Sequence, residues 1–506
     1  MANKYFKTSF FVTGILFVGY FISFIKESTI AKFFGVSGDV DAYTVAITVP
    51  VNLFSIIALS IQPVVIPIYS KLLYGKSQEE AAEYINSLIC LITIVSLFLI
   101  GVFEIFASPI VFLFAPGLDT EVHQLAVSLI RLTLPTILFT LLDRVFIGVL
   151  NVQKQFVLPS LSVYFLNLSI IVSIVLLHSV WGIKAACFGQ VIGSILQVLF
   201  LLVIVKKYLK LSVKLDIKSA AMRETGKSVI PIIWSTSISE VNAIVNRAVA
   251  SFLFIGAISA ISYSTKINSI LILFFTSAIS QIVYPLLAES SAKENMAQLN
   301  NRVNSTMSIY LYLLIPLMVF VFVFRTELIE VAFARGVFDS EAVDKTQRLL
   351  GIYSISIFFL AIRDLITKVF YSLHDTKNPA INTTWGLVLN IVLSLTLPFM
   401  MGVEGLALAT TLSSIFMSVR LLNQLVSKHS EIDLKYFMRN VRKIILPAAV
   451  LIVLLVSFKQ FAHYNIFIML IVGCVISLIA YLIMSWVCKI PVYDEIISLM
   501  GRKKST

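Results

Sequence analysis

Fourteen apolar segments separated by brief charged or turn-forming breaks run through the chain, at about 8–34, 42–70, 84–108, 123–150, 157–178, 183–205, 228–253, 257–288, 306–324, 346–371, 380–400, 404–425, 444–461 and 465–488. In hydrocarbon every backbone N–H and C=O must be satisfied within the segment, so a stretch of about 20 apolar residues reads as a membrane-crossing helix. Fourteen such helices would use about 280 positions, in keeping with 58% hydrophobic residues in a chain of 506. Charged residues make up 13%, about half the share of a soluble domain. A soluble enzyme, a disordered chain and a coiled coil are excluded, and the expected fold class is an all-α polytopic membrane protein.

The balance of 39 Lys+Arg against 27 Asp+Glu gives a net charge of +12, which in a membrane protein is first a topology signal. The basic or mixed linkers are the N-terminus (Lys4, Lys7), Lys71 and Lys76, the stretch from Lys206 to Lys227, Lys293 and Arg302, Lys428 to Lys443, and the tail Arg502, Lys503 and Lys504. Alternating with them are short, weakly charged or acidic turns: GVSGDVD, FAPGLDTEV, LHSVWG, FIGAIS, MMGVEG and FAHYN. Both termini are therefore expected in the cytoplasm. The exception is the outer turn after the ninth span, where Arg325 and Arg335 stand among Glu327, Glu330 and Asp339. No small-residue cleavage site follows Lys7, so the first apolar run is expected to be a retained span. Cys90, Cys187, Cys474 and Cys488 show no CxxC spacing and no nearby His. They indicate neither a disulfide framework nor a metal site.

An internal repeat organises the spans. VVIPIYSK pairs with IVYPLLAE, aligning Pro67 with Pro285, and FAPGLDTEV pairs with FARGVFDSEAV, aligning Phe114, Ala115 and Gly117 with Phe333, Ala334 and Gly336. Further on, Asp143-Arg144 faces Arg363-Asp364, Pro159 faces Pro379, and Gly182 faces Gly402. Each copy holds six spans, an even number, so the copies share one orientation and are related by an axis along the membrane normal. The expected organisation is an N-lobe at 1–205, a basic cytoplasmic linker at 206–227, a C-lobe at 228–425, and two extra spans with a tail at 426–506. Two lobes so related enclose a cleft that can open to either side. Duplication for stability alone is the plainer alternative.

Ionisable groups near the bilayer centre cost about 2.5–3.5 kcal/mol on insertion scales and usually face an interior or a cavity. Span one carries Lys26, Glu27 and Lys32; span seven carries Glu240, Asn242, Asn246 and Arg247; span eight carries Lys266 and Asn268. Glu240 and Arg247 are seven apart and share a helix face, with Asn246 about 100° away. A cavity holding Lys26, Arg247 and Lys266 would attract phosphate or pyrophosphate, with Glu27, Glu240 and Asn246 as charge partners or coupling groups. Internal salt bridges that merely tie helices together are the alternative. Asp143, Arg144, Arg363 and Asp364, with Lys368, occupy equivalent places in the two copies and suit gating or helix packing better than ligand binding. Asp41 in GDVDAY suits an N-cap for span two.

No Walker A sequence, HExxH or GxSxG occurs, and the five histidines are scattered, so neither ATP hydrolysis nor hydrolase chemistry is expected. No cofactor is expected. Na⁺ or H⁺ is the candidate coupling ion. Asn382, Thr383, Thr384 and Asn390 in span eleven, and Thr410, Thr411, Ser413 and Ser414 in span twelve, could offer oxygens to Na⁺, although hydroxyls bonded to their own helix backbone would look the same.

The segments FIKESTIAKFFGVSGDVDAYTVAITVP at 24–50, VVIPIYSK at 64–71, LFAPG at 113–117, VNAIVNRAVASFL at 241–253, IVYPLLAE at 282–289 and FYSLHDTKNP at 370–379 together resemble the MurJ/MviN lipid II flippases of the multidrug/oligosaccharidyl-lipid/polysaccharide (MOP) exporter superfamily. The resemblance covers nearly the whole chain. It implies fourteen helices in two lobes and a central V-shaped cavity that flips an undecaprenyl-pyrophosphate-linked saccharide across the bacterial inner membrane. The family's first-helix Arg-Asp pair and later Asp fall on Lys26, Glu27 and Asp41, the last closing the outer side, and its span-eight arginine falls on Lys266. The sequence departs from the family at Tyr20, Phe54 and Ser55, where the family has arginines, and at Ser269, where it has an acidic partner.

The expected function is therefore an alternating-access flippase, not an enzyme, for a lipid II-like peptidoglycan precursor. An O-antigen or exopolysaccharide flippase, a cation-coupled drug antiporter, a membrane glycosyltransferase and a non-transporting scaffold are the alternatives. The expected partners are a polyprenyl-pyrophosphate-linked glycan, the phospholipid bilayer and cell-envelope synthesis proteins; nucleic acid is not one.

Overall fold

A computed structural model describes the backbone of residues 2–461 and 465–494, and the side chains of these except 2–10, 234–239, 274, 275 and 277–282. Lys4 and Lys7 as side chains, the middle of FAHYN and the basic tail Arg502, Lys503 and Lys504 lie outside the described residues.

Fourteen long helical spans follow one another. Span 1 is Ala2–Phe34. Span 2 joins the helix Gly38–Ala46, a π-helical stretch Thr48–Leu53 and the helix Phe54–Gly75, and span 3 is Gln78–Ile105. Span 4 joins Thr120–Thr133 to Thr136–Val152, span 5 is Val157–Trp181, and span 6 is Lys184–Val205. Span 7 is Ala220–Ala250, span 8 Ala257–Ala292, span 9 Met296–Val323, span 10 Ser340–Ser372, span 11 Lys377–Thr396 and span 12 Val403–Lys428. Spans 13 and 14 are Lys435–Phe461 and Ile466–Val487. Among the described residues, eleven are long and apolar enough to cross a membrane as they stand, and the bent span 4 makes a twelfth. Spans 7 and 8, whose side chains are described only in part, carry Glu240, Arg247 and Lys266. The chain is an all-helical multi-pass membrane protein.

Two compact units form: residues 1–259 with 335–338, and residues 260–334 with 339–506. In the second, Tyr310, Phe324, Phe333 and Phe370 are fully buried. Span 13 packs within it through Lys459, paired with Glu327 at 2.8 Å, and through Asn440, whose amide donates to Ser308 Oγ at 3.1 Å; span 14 packs within it through Tyr481, whose ring lies 5.0 Å from that of Tyr312.

The repeat is visible in the backbone itself. Lys154 and His374, aligned by the repeat, both have φ of 59°. Each closes its helix in the same way: Gln155 N–H donates to Leu150 O at 2.8 Å, and Asp375 N–H donates to Phe370 O at 2.9 Å. Gly182 and Gly402 lie at φ 54°, ψ −140° and φ 60°, ψ −139°, a region open almost only to glycine. The short helices Ala107–Phe114 and Arg325–Phe333 also correspond. Where the copies differ, a residue accounts for it: Pro135 lies at the 41° bend of span 4, because proline lacks the N–H and its ring crowds the preceding turn. Its counterpart in span 10 is Ile355, and that helix runs unbroken.

In the turn before span 11, Asp375 accepts from Asn378 N–H at 3.0 Å, from the Asn378 side-chain amide, and from Lys428 Nζ at 3.4 Å. Burial alone would raise this carboxyl, but the Asn378 donors and the Lys428 ammonium outweigh it and hold it below the usual carboxylate range. A carboxyl depressed on folding stabilises above its unfolded pKa of about 3.9 and loses that contribution as pH falls through the folded value. Asp375→Asn is expected to lower the thermal unfolding temperature of the detergent-solubilised protein at neutral pH, with the gap to wild type closing as pH falls below about 4; a gap that does not depend on pH would contradict this. Gly182→Ala and Gly402→Ala should each destabilise by about 1–3 kcal/mol, from backbone strain at the same turn. Unchanged unfolding temperatures in both variants would show the turn to be unstrained.

Candidate functional site

The short acidic turns bring together four loops within the first compact unit. Asp41 is almost fully buried, and its carboxylate accepts from Gly256 N–H and Ser259 N–H, both at 2.7 Å. These are donors left unpaired at the start of span 8, where a negative charge also meets the positive end of the helix dipole. Asp41 is thus not the cap of its own helix. That helix starts at Gly38 behind Ser37, and Asp41 already lies inside its first turn, donating its N–H to Ser37 O at 3.0 Å. The carboxylate therefore reaches across to a helix far away in sequence.

The two repeat loops dock beside it in matching ways. Gly117 N–H donates to Ser251 Oγ at 2.9 Å, and Val337 N–H donates to Lys32 O at 3.0 Å. Ser251 follows the end of span 7 and Lys32 is near the end of span 1, so each copy's loop sits on the other copy's first helix. The fit is close at glycines: a Cβ on Gly336 would lie 2.2 Å from Lys32 O, and one on Gly117 would lie 2.7 Å from Phe252 N. A cavity of about 120 Å³ remains, lined by Asp41, Asp119, Ser251 and their neighbours.

The charged residues inside the spans divide between the units. In span 1, Lys26 pairs with Glu27 at 3.0 Å, both largely buried. In span 7, Glu240 and Arg247 stand seven residues apart on one helix, both half-buried. Arg247 Nη1 is buried without a hydrogen-bond partner among the described residues. Asn246 is half-buried on the same helix. Lys266 stands in the second unit. There Ser264 donates to Thr346 O at 2.9 Å and Asn268 to Ser356 Oγ at 3.4 Å, tying one face of span 8 to span 10. Lys266 projects from roughly the opposite face.

Of Asp143, Arg144, Arg363 and Asp364, it is Asp143 and Arg363 that reach another helix. Asp143 is buried, pairs with Arg144 at 3.4 Å and accepts from Gln197 Nε2 at 2.8 Å, while the same Gln197 amide reaches Ser162 Oγ at 3.4 Å. At the equivalent three positions, Arg363 Nη1 reaches Met417 Sδ at 3.4 Å and Asn382 donates to Met417 O at 2.9 Å. Asp364 turns instead to Lys368 at 2.5 Å. The hydroxyls weighed as Na⁺ ligands largely bond their own helices: Thr383 to Pro379 O, Thr384 to Ala380 O, Thr410 to Leu406 O and Ser414 to Thr410 O, at 2.8–3.1 Å. Thr411 crosses to Ile352 O at 3.2 Å, and Asn390 lies 3.5 Å from Thr410 Oγ1.

Sequence reasoning did not single out Gly256, Ser259 and Ser251, the partners of Asp41 and Gly117, or Gln197, Met417 and Asn382 as triads around Asp143 and Arg363. The triads were recoverable, because all three pairs of positions share one repeat offset. The backbone donors at Gly256 and Ser259 were not, since an N–H leaves no mark on residue type.

The profile described as "Lipid II flippase MurJ" matches residues 30–474. A probable lipid II flippase MurJ of Thermotoga maritima is 28% identical over 410 residues, covering 81% of this chain and 83% of that protein. A solved lipid II flippase MurJ in an inward closed conformation superposes with a TM-score of 0.83 at 26% identity, covering 96% of this chain and 99% of that one. An inward-facing multidrug MATE transporter of the MOP superfamily shares the fold, with a TM-score of 0.66 at 14% identity over 81% of this chain and 96% of its own. With the profile spanning most of its length and the repeat built into its backbone, the chain belongs to the lipid II flippase MurJ family.

Proposed function

We propose that this protein flips lipid II, or a closely related undecaprenyl-pyrophosphate-linked saccharide, across the bacterial inner membrane by alternating access. The observation that carries the reading is the latch at the acidic turns: one buried carboxylate holds two backbone donors of span 8, and two repeat loops are each pinned to the other copy's first helix. A closure of a few hydrogen bonds is the kind of bistable element that a substrate can shift. In this reading the acidic turns are periplasmic, both termini are cytoplasmic, and Asp41 closes the outer side.

Lys26, Arg247 and Lys266 serve the pyrophosphate. The buried Arg247 Nη1 supports this, since a buried donor without an acceptor is costly and an anionic oxygen would satisfy it. Glu27 and Glu240 poise these cations, with Asn246 beside them. Asp143, Arg144, Arg363 and Asp364 hold the helices that must move as blocks during gating. Na⁺ or H⁺ supplies the coupling, and proteins of cell-envelope synthesis deliver or receive the glycan.

Depletion in the native host, with mass spectrometry of extracted polyprenyl-linked intermediates, tests the function. Lipid II accumulating before lysis is the expected outcome, and accumulation of a different lipid-linked oligosaccharide with normal lipid II would overturn it. Lys26→Ala and Lys266→Ala are each expected to abolish flipping at normal expression; transport at wild-type rates by both would remove the pyrophosphate assignment. Asp41→Asn turns an amide donor toward a backbone donor and removes the charge. Hydrogen exchange at 254–262 should then quicken by roughly tenfold or more, as expected from losing charge-assisted hydrogen bonds, and unchanged exchange would exclude Asp41 as the latch.

A further inference from the structure

The linker between spans 6 and 7 is amphipathic in an unexpected direction. Over KLSVKLDIK at 210–218 apolar and polar residues alternate, so in an extended backbone they face opposite sides. The polar side is turned inward, onto the start of span 3. Asn86 Nδ2 donates to Lys210 O at 2.9 Å and to Ser212 Oγ at 3.0 Å, Lys214 pairs with Glu83 at 2.5 Å, and Asp216 N–H donates to Ser87 Oγ at 3.1 Å. The apolar side is left outward, with Leu211 38%, Val213 99%, Leu215 45% and Ile217 52% exposed. Leaving four alternating apolar side chains in water is unfavourable, so something covers them.

Position and charge identify the cover. The segment leaves span 6 at Val205, where a membrane helix ends. It is pinned to residues 83–87 of span 3, whose polar opening QEEAAEYINS gives way to continuous apolar sequence at Leu88. That is the level of the water–lipid boundary. Within 206–218 one acid, Asp216, stands against five lysines; Lys214 is held by Glu83, and the other four, Lys206, Lys207, Lys210 and Lys218, are exposed. Lysines beside apolar side chains at this depth suit an anionic headgroup layer.

We propose that residues 206–218 form an interfacial anchor: Leu211, Val213, Leu215 and Ile217 enter the headgroup region, and the lysines bind anionic phospholipid. The polar contacts to span 3 hold the strap in register, so the join between the two repeat halves is fixed to the cytoplasmic leaflet. The proposal requires the membrane topology given above but not the identity of the flipped substrate.

The test uses the full chain with Cys90, Cys474 and Cys488 replaced by Ser, Cys187 being fully buried, and a nitroxide on Val213→Cys. The protein is reconstituted in phosphatidylcholine vesicles and in vesicles of phosphatidylcholine with about 30% phosphatidylglycerol, an anionic fraction chosen to give the surface a negative potential. With phosphatidylglycerol the label should become accessible to oxygen and shielded from an aqueous nickel reagent. Each lysine near an anionic surface contributes about fivefold to partitioning, so K206Q/K207Q/K210Q/K218Q, which spares the Lys214–Glu83 pair, should return the label to water. A label in water in both vesicles overturns the proposal. So does one equally embedded in both and indifferent to the lysines, or one shielded only in native membranes, which would indicate a protein partner.

Discussion

An unpaired polar group in hydrocarbon costs several kcal/mol, and that constraint shapes every level of this molecule. It makes each span a helix, and it makes the places where helices end or break need a partner. The start of span 8 finds its partner in Asp41, whose two 2.7 Å contacts give a buried carboxylate its hydrogen bonds and satisfy two orphan donors at once. The π-helical stretch in span 2 shows the same economy: past Pro50, which has no N–H, Val51 and Asn52 both donate to Ile47 O. The ladder is bent around the missing donor, not broken.

Gene duplication accounts for the plan of the chain, and divergence accounts for its chemistry. Backbone features survived in both copies because glycine at 182 and 402 and the positive-φ residues 154 and 374 are set by local sterics, which a changing ligand does not touch. Side chains at the same places did not survive. Asp143 with Gln197 and Ser162 became Arg363 with Met417 and Asn382, so one copy buries an anion where the other holds a half-buried cation. Either solves the packing problem, provided a neighbouring group faces the charge.

Most of the fold was legible in the sequence. The spans are long and apolar, and their spacing exposed the repeat whose turns the backbone then reproduces. The broken span 4 was legible in principle at Pro135, whereas the π-helical stretch in span 2 was not, since it depends on how the ladder relaxes around a proline. The site was legible only in part. Charges inside spans stand out because they are expensive, so Lys26, Glu240, Arg247 and Lys266 could be picked out as candidates. The latch was half hidden, because Lys32 O, Val337 N, Gly117 N, Gly256 N and Ser259 N are main-chain atoms. Asp41 was visible but assigned to its own helix, as an acid at the head of a helix is most simply a local cap.

Main-chain contacts also explain why the loops carry glycine. A latch between backbones needs close approach, and at Gly336 a Cβ would stand 2.2 Å from Lys32 O, well inside van der Waals contact. Such a contact has little side-chain freedom to lose on closing and little to regain on opening, so its two states can lie close in energy. The charge that does take part, Asp41, binds neutral donors and has no cation as partner among the described residues. In the proposed cycle, opening would expose one carboxylate to water without leaving an unpaired positive group behind, and water can solvate that carboxylate readily. A buried ion pair would have made the closed state costly to form and costly to break, whereas a carboxylate on a helix terminus suits the latch proposed above, which would do both in every cycle.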